Sequence, residues 1–426
     1  MPGLLRADAD FRRLWIADGI SEVGGSVVVL ALPLLAATEL RASTWQVALL
    51  ATAASLPVLL IGLPAGAWVD RLRRRPVMIV ADTGRAVVLG WVPVAAVLDL
   101  LTIEQLFAVS FLAGIGTVCF DLAHGAYLPS LVGRSRLVEA NGRLETNHSV
   151  AYSAGPTIGG QLVGWIGAPL AVLATVAGYL WSAGWVAAIR HREPPPPPVP
   201  DRNLLREIRD GMRFVLAQPF IRATTLHATT AVLFLATRYA VDVLFLLRTV
   251  GLAPGSIGAL MTVGGLGAVA GAVLAPRIAR RLGGTRSVLV AGIAVGLSSL
   301  LIPLTGPGLG LAWYAVGAGG VAFSITASNV ISVGLRQMLC PDHLLGRMNA
   351  SSRFLAWATL PLGGVLGGAL GTALGLRTTI WLTGAGLLLA SLWLILSPVC
   401  RARDLPAAPP DVRAEMSPGP ARDGLS

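Results

Sequence analysis

Gly66-Ala-Trp-Val-Asp70-Arg71-Leu-Arg73-Arg74-Arg75 ends one long apolar run, and the next begins directly after it. The stretch Ala272-Val-Leu-Ala-Pro-Arg277-Ile-Ala-Arg280-Arg281, 206 positions on, repeats its basic spacing after another long apolar run. A run of about 20 apolar residues is long enough, as a helix, to cross a ~30 Å hydrocarbon core. Arginine clusters between such runs mark loops on the cytoplasmic face, where Lys and Arg are retained.

Working outward from these two loops, apolar spans fall near 13–37, 44–69, 76–99, 103–128, 146–165 and 169–189, then near 220–247, 254–276, 286–305, 309–335, 353–374 and 378–398. Of 426 residues, 54% are hydrophobic and 13% charged, which leaves too little polar surface for a soluble protein of this length. Trp15 to Leu35 follows Arg12 and Arg13 as a signal peptide would, but it is too long for one and reads as a retained first span. All 33 basic residues are arginine, and the net charge is +11. With the N-terminus in the cytoplasm, the outer segments hold Arg41, Arg248 and Arg377, and the inner ones hold nearly all the rest, including Arg134, Arg136, Arg143 and Arg286. An odd number of spans breaks that alternation. The reading is an all-α membrane protein of twelve transmembrane helices in two six-helix bundles, with both termini cytoplasmic, in a bacterial-type inner (plasma) membrane. Arginines dispersed between apolar blocks make no nucleic-acid footprint. The expected surroundings are the lipid bilayer and a small-molecule substrate, with no nucleic acid, and the chain working as a monomer.

Four segments follow: an N-terminal bundle over 1–189, a linker over 190–219, a C-terminal bundle over 220–400 and a tail over 401–426. The linker carries five consecutive prolines after Glu193, a stiff spacer. Leu204, Ile208, Met212 and Val215 then recur at helical spacing, with Arg206, Arg209, Asp210 and Arg213 on other faces. That pattern predicts an amphipathic helix along the membrane surface. The Pro-, Ala- and charge-rich tail predicts disorder.

A second echo pairs Gly155-Pro156-Thr-Ile-Gly159-Gly160 in the fifth span with Leu360-Pro361-Leu-Gly363-Gly364 in the eleventh. Two echoes at matching spans indicate duplication. Parallel six-span repeats predict a pseudo-two-fold axis along the membrane normal and a binding site between the halves near the midplane.

Over residues 10–398 the sequence resembles the major facilitator superfamily. Gly66, Asp70, Arg71, Arg74 and Arg75 are similar to that superfamily's loop signature between spans two and three, with Asp82 and Arg85 following in span three as a charge network within reach of it. In physical terms Gly66 permits close helix approach, Asp70 can cap a neighbouring helix N-terminus, and the arginines can anchor to anionic headgroups. Gly155, Pro156, Gly159 and Gly160 resemble the fifth-span signature of the proton-coupled antiporter branch, which implies a bent, tightly packed helix that keeps the cavity from leaking. The stretches from Leu128 to Arg143 and from Cys340 to Phe354 are similar to a bacterial exporter subgroup that includes macrolide-efflux and siderophore-export transporters. The resemblance therefore implies export. One departure stands out: span four, which carries a coupling arginine in many drug–proton antiporters of the superfamily, has Asp121 and His124 here and no arginine.

A charge inside a spanning helix costs about 2.5–3.5 kcal/mol on insertion scales, so each such residue is a functional candidate. Asp18 and Glu22 share one face of span one, and Glu22 lies about nine residues, roughly 13 Å, inside it. Glu22 can carry a proton, contact a cationic substrate or hydrogen-bond a neighbouring helix. Arg238 and Asp242 in span seven form an i,i+4 pair, either a static salt bridge or a gate released by protonation. Asp121 and His124 offer a second titrating site. Asp18, Glu22, Asp121, Arg238 and Asp242 are the candidate substrate and proton cavity, with Trp15, Tyr152 and Trp357 as candidate aromatic lining.

Nothing in the sequence points to an enzyme. A phosphate-cradling loop needs a lysine, and the chain has none. Cys119, Cys340 and Cys400 have neither metal-ligand nor disulfide spacing, and no metal cluster is expected. The expectation is a secondary transporter without cofactors, exporting a small drug-, antibiotic- or siderophore-like molecule in exchange for protons by alternating access. The alternatives are a facilitator or importer without antiport, and a non-transporting sensor on the same scaffold.

Overall fold

The computed structural model of the chain describes residues 4–69, 71–133, 136–191, 193, 212–339 and 342–397. Asp70, the polyproline stretch, most of the expected amphipathic helix, the tail from 398, and the side chain of Tyr152 lie outside the described residues.

The first six long helices are α1 (Ala9–Thr38), α2 (Thr44–Val69), α3 (Arg74–Val97), α4 (Ile103–Val132), α5 (Leu137–Ile166) and α6 (Ala168–Ala187). After the linker come α7 (Pro219–Leu244), α8 (Pro254–Leu282), α9 (Gly284–Ser299), α10 (Leu311–Leu339), α11 (Asp342–Trp357), α12 (Leu360–Ala373) and α13 (Leu376–Ala390). α7 continues through a π-turn over Phe245–Thr249. α11 and α12 break just before Pro361, which has no N–H to continue a helix and sits comfortably in the first turn of a new one.

Among the described residues eleven helical segments are long and apolar enough to cross a membrane; the segment over Ser351–Ala373 joins parts of α11 and α12. The expected fifth span, 146–165, lies inside the 30-residue helix α5 but is not one of the eleven. Its residues explain this: Ser149, Ser153, Thr157 and Gln161 interrupt it, and glycines replace bulky apolar side chains. α5 packs against α1, α6 and α8, and these contacts take up its glycine and small polar residues. Elsewhere the outer surface is apolar, as at Val80, Val87 and Val97 along α3.

The two sets of helices repeat one another's contacts. In the first, α1 packs on α5 and α6, α2 on α4, and α3 on α4 and α6. In the second, α7 packs on α12 and α13, α8 on α10, and α9 on α10 and α13. The main contacts between the sets are likewise a matched pair, α5 with α8 and α2 with α12.

Those contacts sit at the end opposite the start of α1. Gly160, near the far end of α5, is so close to α8 that a Cβ there would lie 2.5 Å from the Pro254 carbonyl oxygen. Gly368 of α12 lies against Trp45 and Ala48 of α2. Arg248 Nη2, in the far loop, donates to the Ala42 carbonyl across the two sets at 2.7 Å. The buried core follows the same division. One cluster runs continuously through both sets at the far end, from Leu30 and Leu34 to Leu244, Phe245 and Tyr314. At the near end, among the described residues, there are two separate clusters, one around Phe11, Leu14 and Tyr127 and one around Ile221, Ala275 and Met348. The molecule is sealed at the far end and split at the near one.

The signature loop departs from its expected contacts. Arg74 binds Glu193 through its backbone N–H and its guanidinium, both at 2.7 Å, and Arg75 donates to the carbonyls of Val186 at 3.1 Å and Ala187 at 2.5 Å. These two arginines therefore tie α3 to the end of α6 and the segment that follows it. Among the described residues nothing lies within 4 Å of a Cβ position on Gly66, so no close helix approach is made there.

Candidate functional site

Between the two sets lies a cavity of about 860 Å³. Asp18, Glu22 and Asp121 all line it, so helices α1 and α4 bring three of the five expected cavity residues together. Apolar side chains such as Val28, Leu32, Val58 and Leu89 form much of the wall. Trp357 lines it as expected, with Phe354, Phe120 and Tyr179 beside it.

The carboxylates are held from α4 and α5. Asn147 Nδ2 donates to Asp18 Oδ2 and to the Trp15 carbonyl, each at 2.8 Å, and so clamps α5 to α1. His124 Nε2 stands 3.8 Å from the other Asp18 oxygen, with its ring stacked on Phe120. His148 Nδ1 lies 3.4 Å from Glu22 Oε2. Trp15 is not in the lining; its indole N–H donates to the Arg143 carbonyl at 3.1 Å. Asn147 and His148 escaped sequence reading because both precede the glycines of span five and read as its polar start; their register on the face of α5 toward α1 was the available signal.

Arg238 and Asp242 do not join this cavity, contrary to the sequence expectation. Both are buried within the second set, with Arg238 Nε 3.9 Å from Asp242 Oδ2 and the Tyr314 hydroxyl donating to the same oxygen at 3.0 Å. The i,i+4 spacing placed them on one face correctly, but the rotation of α7 turns that face toward α10.

Arg85 is the converse. It lies eleven residues into α3, about 16 Å from the helix start, too deep for the loop network expected of it. Its guanidinium pairs with Asp82, receives Thr117 Oγ1 as an acceptor at 3.3 Å, and stacks on Phe120 and Tyr179 at 4.7 and 4.1 Å from their ring centres. It also lines the cavity. α4 has no arginine, and Arg85 of the neighbouring α3 places a guanidinium in the same cavity. Gly116 of α4 makes room for it, since a Cβ there would sit 2.6 Å from Arg85 Cγ. A second cation, Arg353 of α11, reaches the cavity from the opposite set and lies 4.3 Å over the Trp357 ring.

The glycine-proline motif packs α5 against α1 and against α8 of the other set. A Cβ on Gly155 would strike Ser26, and one on Gly159 would lie 3.2 Å from Val27 Cα, so both press against α1. Gly160 and the Pro156 carbonyl meet Gly258 of α8, and Thr157 bonds the Gly258 carbonyl at 3.3 Å and touches Thr262. The second echo does the same in mirror: Gly363 packs on α7 within its own set, and Gly364 on Thr52 of α2 across the divide. Small residues allow backbones to approach this closely in a membrane, where there is no hydrophobic drive to force helices together.

The profile of the transmembrane secretion effectors, a branch of the major facilitator superfamily, matches residues 5–417. The chain belongs to that family. It is a multi-pass membrane protein of a transporter family, not of an enzyme family. Among curated relatives, the multidrug efflux pump Tap of Mycolicibacterium fortuitum is 29% identical, over 91% of this chain and 95% of its own length. The enterobactin exporter EntS of Salmonella choleraesuis is 25% identical, over 81% and 82%. Among solved structures, a bacterial homologue of the iron transporter ferroportin in its inward-facing state superposes with a TM-score of 0.72 at 16% identity, covering 92% of this chain and 99% of that one. The outward-facing structure of such a homologue fits less closely, with a TM-score of 0.61.

Proposed function

We propose that the chain is a secondary transporter of the bacterial inner membrane that exports a small molecule by alternating access, in exchange for protons. In this reading α5 is the fifth of twelve spans, both termini are cytoplasmic, and the bundles over 1–189 and 220–400 rock about the cavity as a functional monomer. The observation that carries the proposal is one cavity holding Asp18, Glu22 and Asp121 near the junction of two repeated bundles, sealed at one end and split at the other. The exporters among the relatives support the outward direction, and the carboxylates in helical spans support proton coupling, since each bears an insertion cost. Glu22, spaced from His148 at the cavity wall, is the first candidate for the exchanged proton.

Uptake into inside-out vesicles with an imposed pH gradient tests this. Substrate accumulation that rises with the gradient, and collapses in Glu22→Gln, is expected. Wild-type transport indifferent to the gradient rejects proton exchange, and net movement in the opposite sense rejects export.

A further inference from the structure

Asp121 on α4 and Arg353 on α11 look into the cavity from opposite sets, and both are exposed to it. The other charges there are engaged: Asp18 with Asn147, Glu22 with His148, and Arg85 with Asp82. Among the described residues Asp121 has no hydrogen-bond or ion-pair partner, and Arg353 has no carboxylate within ion-pair distance; its guanidinium rests instead on Trp357. Among the described residues two opposite charges therefore face one space from opposite sets without forming an ion pair with one another.

Closing the near end removes water from that space. A stripped, unpaired charge is strongly unfavourable, so closure around a ligand that lies between the two and keeps them from pairing with one another requires a partner for each. A cation alone serves Asp121 and leaves Arg353 bare; an anion alone does the reverse. Beside Arg353, the rings of Phe354 and Trp357 offer flat apolar surface, with Phe120 across the cavity. Guanidinium groups favour planar acceptors such as carboxylates, and they keep their charge at any working pH.

Resting on the transport reading, we propose that the substrate class is amphoteric and aromatic: a cationic end at Asp121, an acidic end at Arg353, and a ring system against Trp357 and Phe354. Such a ligand bridges the two sets, so its binding favours their approach at the near end.

A matched pair of probes tests this on the full-length protein in lipid nanodiscs: a zwitterionic rhodamine free acid and its methyl ester, which differs by loss of the negative charge. Fluorescence anisotropy gives both affinities. Arg353→Ala is expected to weaken the acid by about ten- to a hundredfold, the range of one charge-assisted hydrogen bond, and the ester by less than about threefold. Arg353→Lys retains most of the acid's affinity, and Asp121→Asn weakens both dyes. Equal losses for the two dyes in Arg353→Ala, no loss for either, or no binding of the acid by wild type overturns the proposal. Outward transport of the acid in vesicles is scored separately. The expected binding pattern without transport keeps the ligand class and counts against the transporter reading; transport without preference for the acid does the opposite.

Discussion

At the scale of single residues, the arginine of span three matters most. Arg85 is buried with Asp82 beneath two aromatic rings, so truncating it leaves a carboxylate uncompensated in a low-dielectric interior. Removing one member of such a pair costs roughly 3–5 kcal/mol, while removing both is far milder. Arg85→Ala should therefore lower the unfolding temperature in detergent, and the Asp82→Ala/Arg85→Ala double variant should regain part of the loss. A double variant no more stable than Arg85→Ala would show that Arg85 is held by its ring contacts instead. Asp82 and Arg85 were recognisable as an intramembrane pair from spacing alone. That Arg85 faces the cavity was not, since helical periodicity relates residues on one helix and leaves the helix's rotation against its neighbours open.

At the scale of elements, α5 carries the conformational argument. Gly155 and Gly159 seat it on α1, and Gly160 with Pro156 seats it on α8 of the other set. The sequence echo of this motif was visible, but its division of labour was not, because glycines carry no side chain whose polarity tells which neighbour they meet. Gly160→Ala and Gly258→Ala should each wedge α5 from α8, since either new methyl collides with backbone across the interface. Spin-label distances between the far ends of α5 and α8 should lengthen; unchanged distances would show that the interface can absorb the methyl and is no tight gate. The same helix is long but is not among the eleven apolar segments. Its polar and glycine residues serve helix contacts, and hydropathy reads only the demand that lipid makes.

For the whole molecule, the alternating access proposed above makes the separate near-end cores and the shared far-end core one of two states. Thr157 and Thr262 touch across α5 and α8 in this state. Cysteines at both positions, in a background freed of Cys119, Cys340 and Cys400, should cross-link on oxidation and hold the molecule sealed at its far end. Transport should stop and return on reduction. Continued transport by the cross-linked protein would mean that the far end need not open, and alternating access across this interface would fail.

The amino-acid sequence by itself determined the solvent, the division into bundles and the family resemblance. These rest on local quantities: the length of apolar runs, the sidedness of arginines and a repeat at fixed offset. It also placed Asp18, Glu22 and Asp121 among the candidates for one site, because each is a charge in a costly position. Tertiary structure alone decided that Arg238 and Asp242 turn away toward Tyr314 while Arg85 and Arg353 turn in, and that Asn147 and His148 hold the carboxylates. The physical reason is the same in each case. In a bilayer every helix satisfies its own backbone, so its rotation and depth are set by the close packing of small residues between helices, and that information belongs to pairs of helices rather than to any one of them.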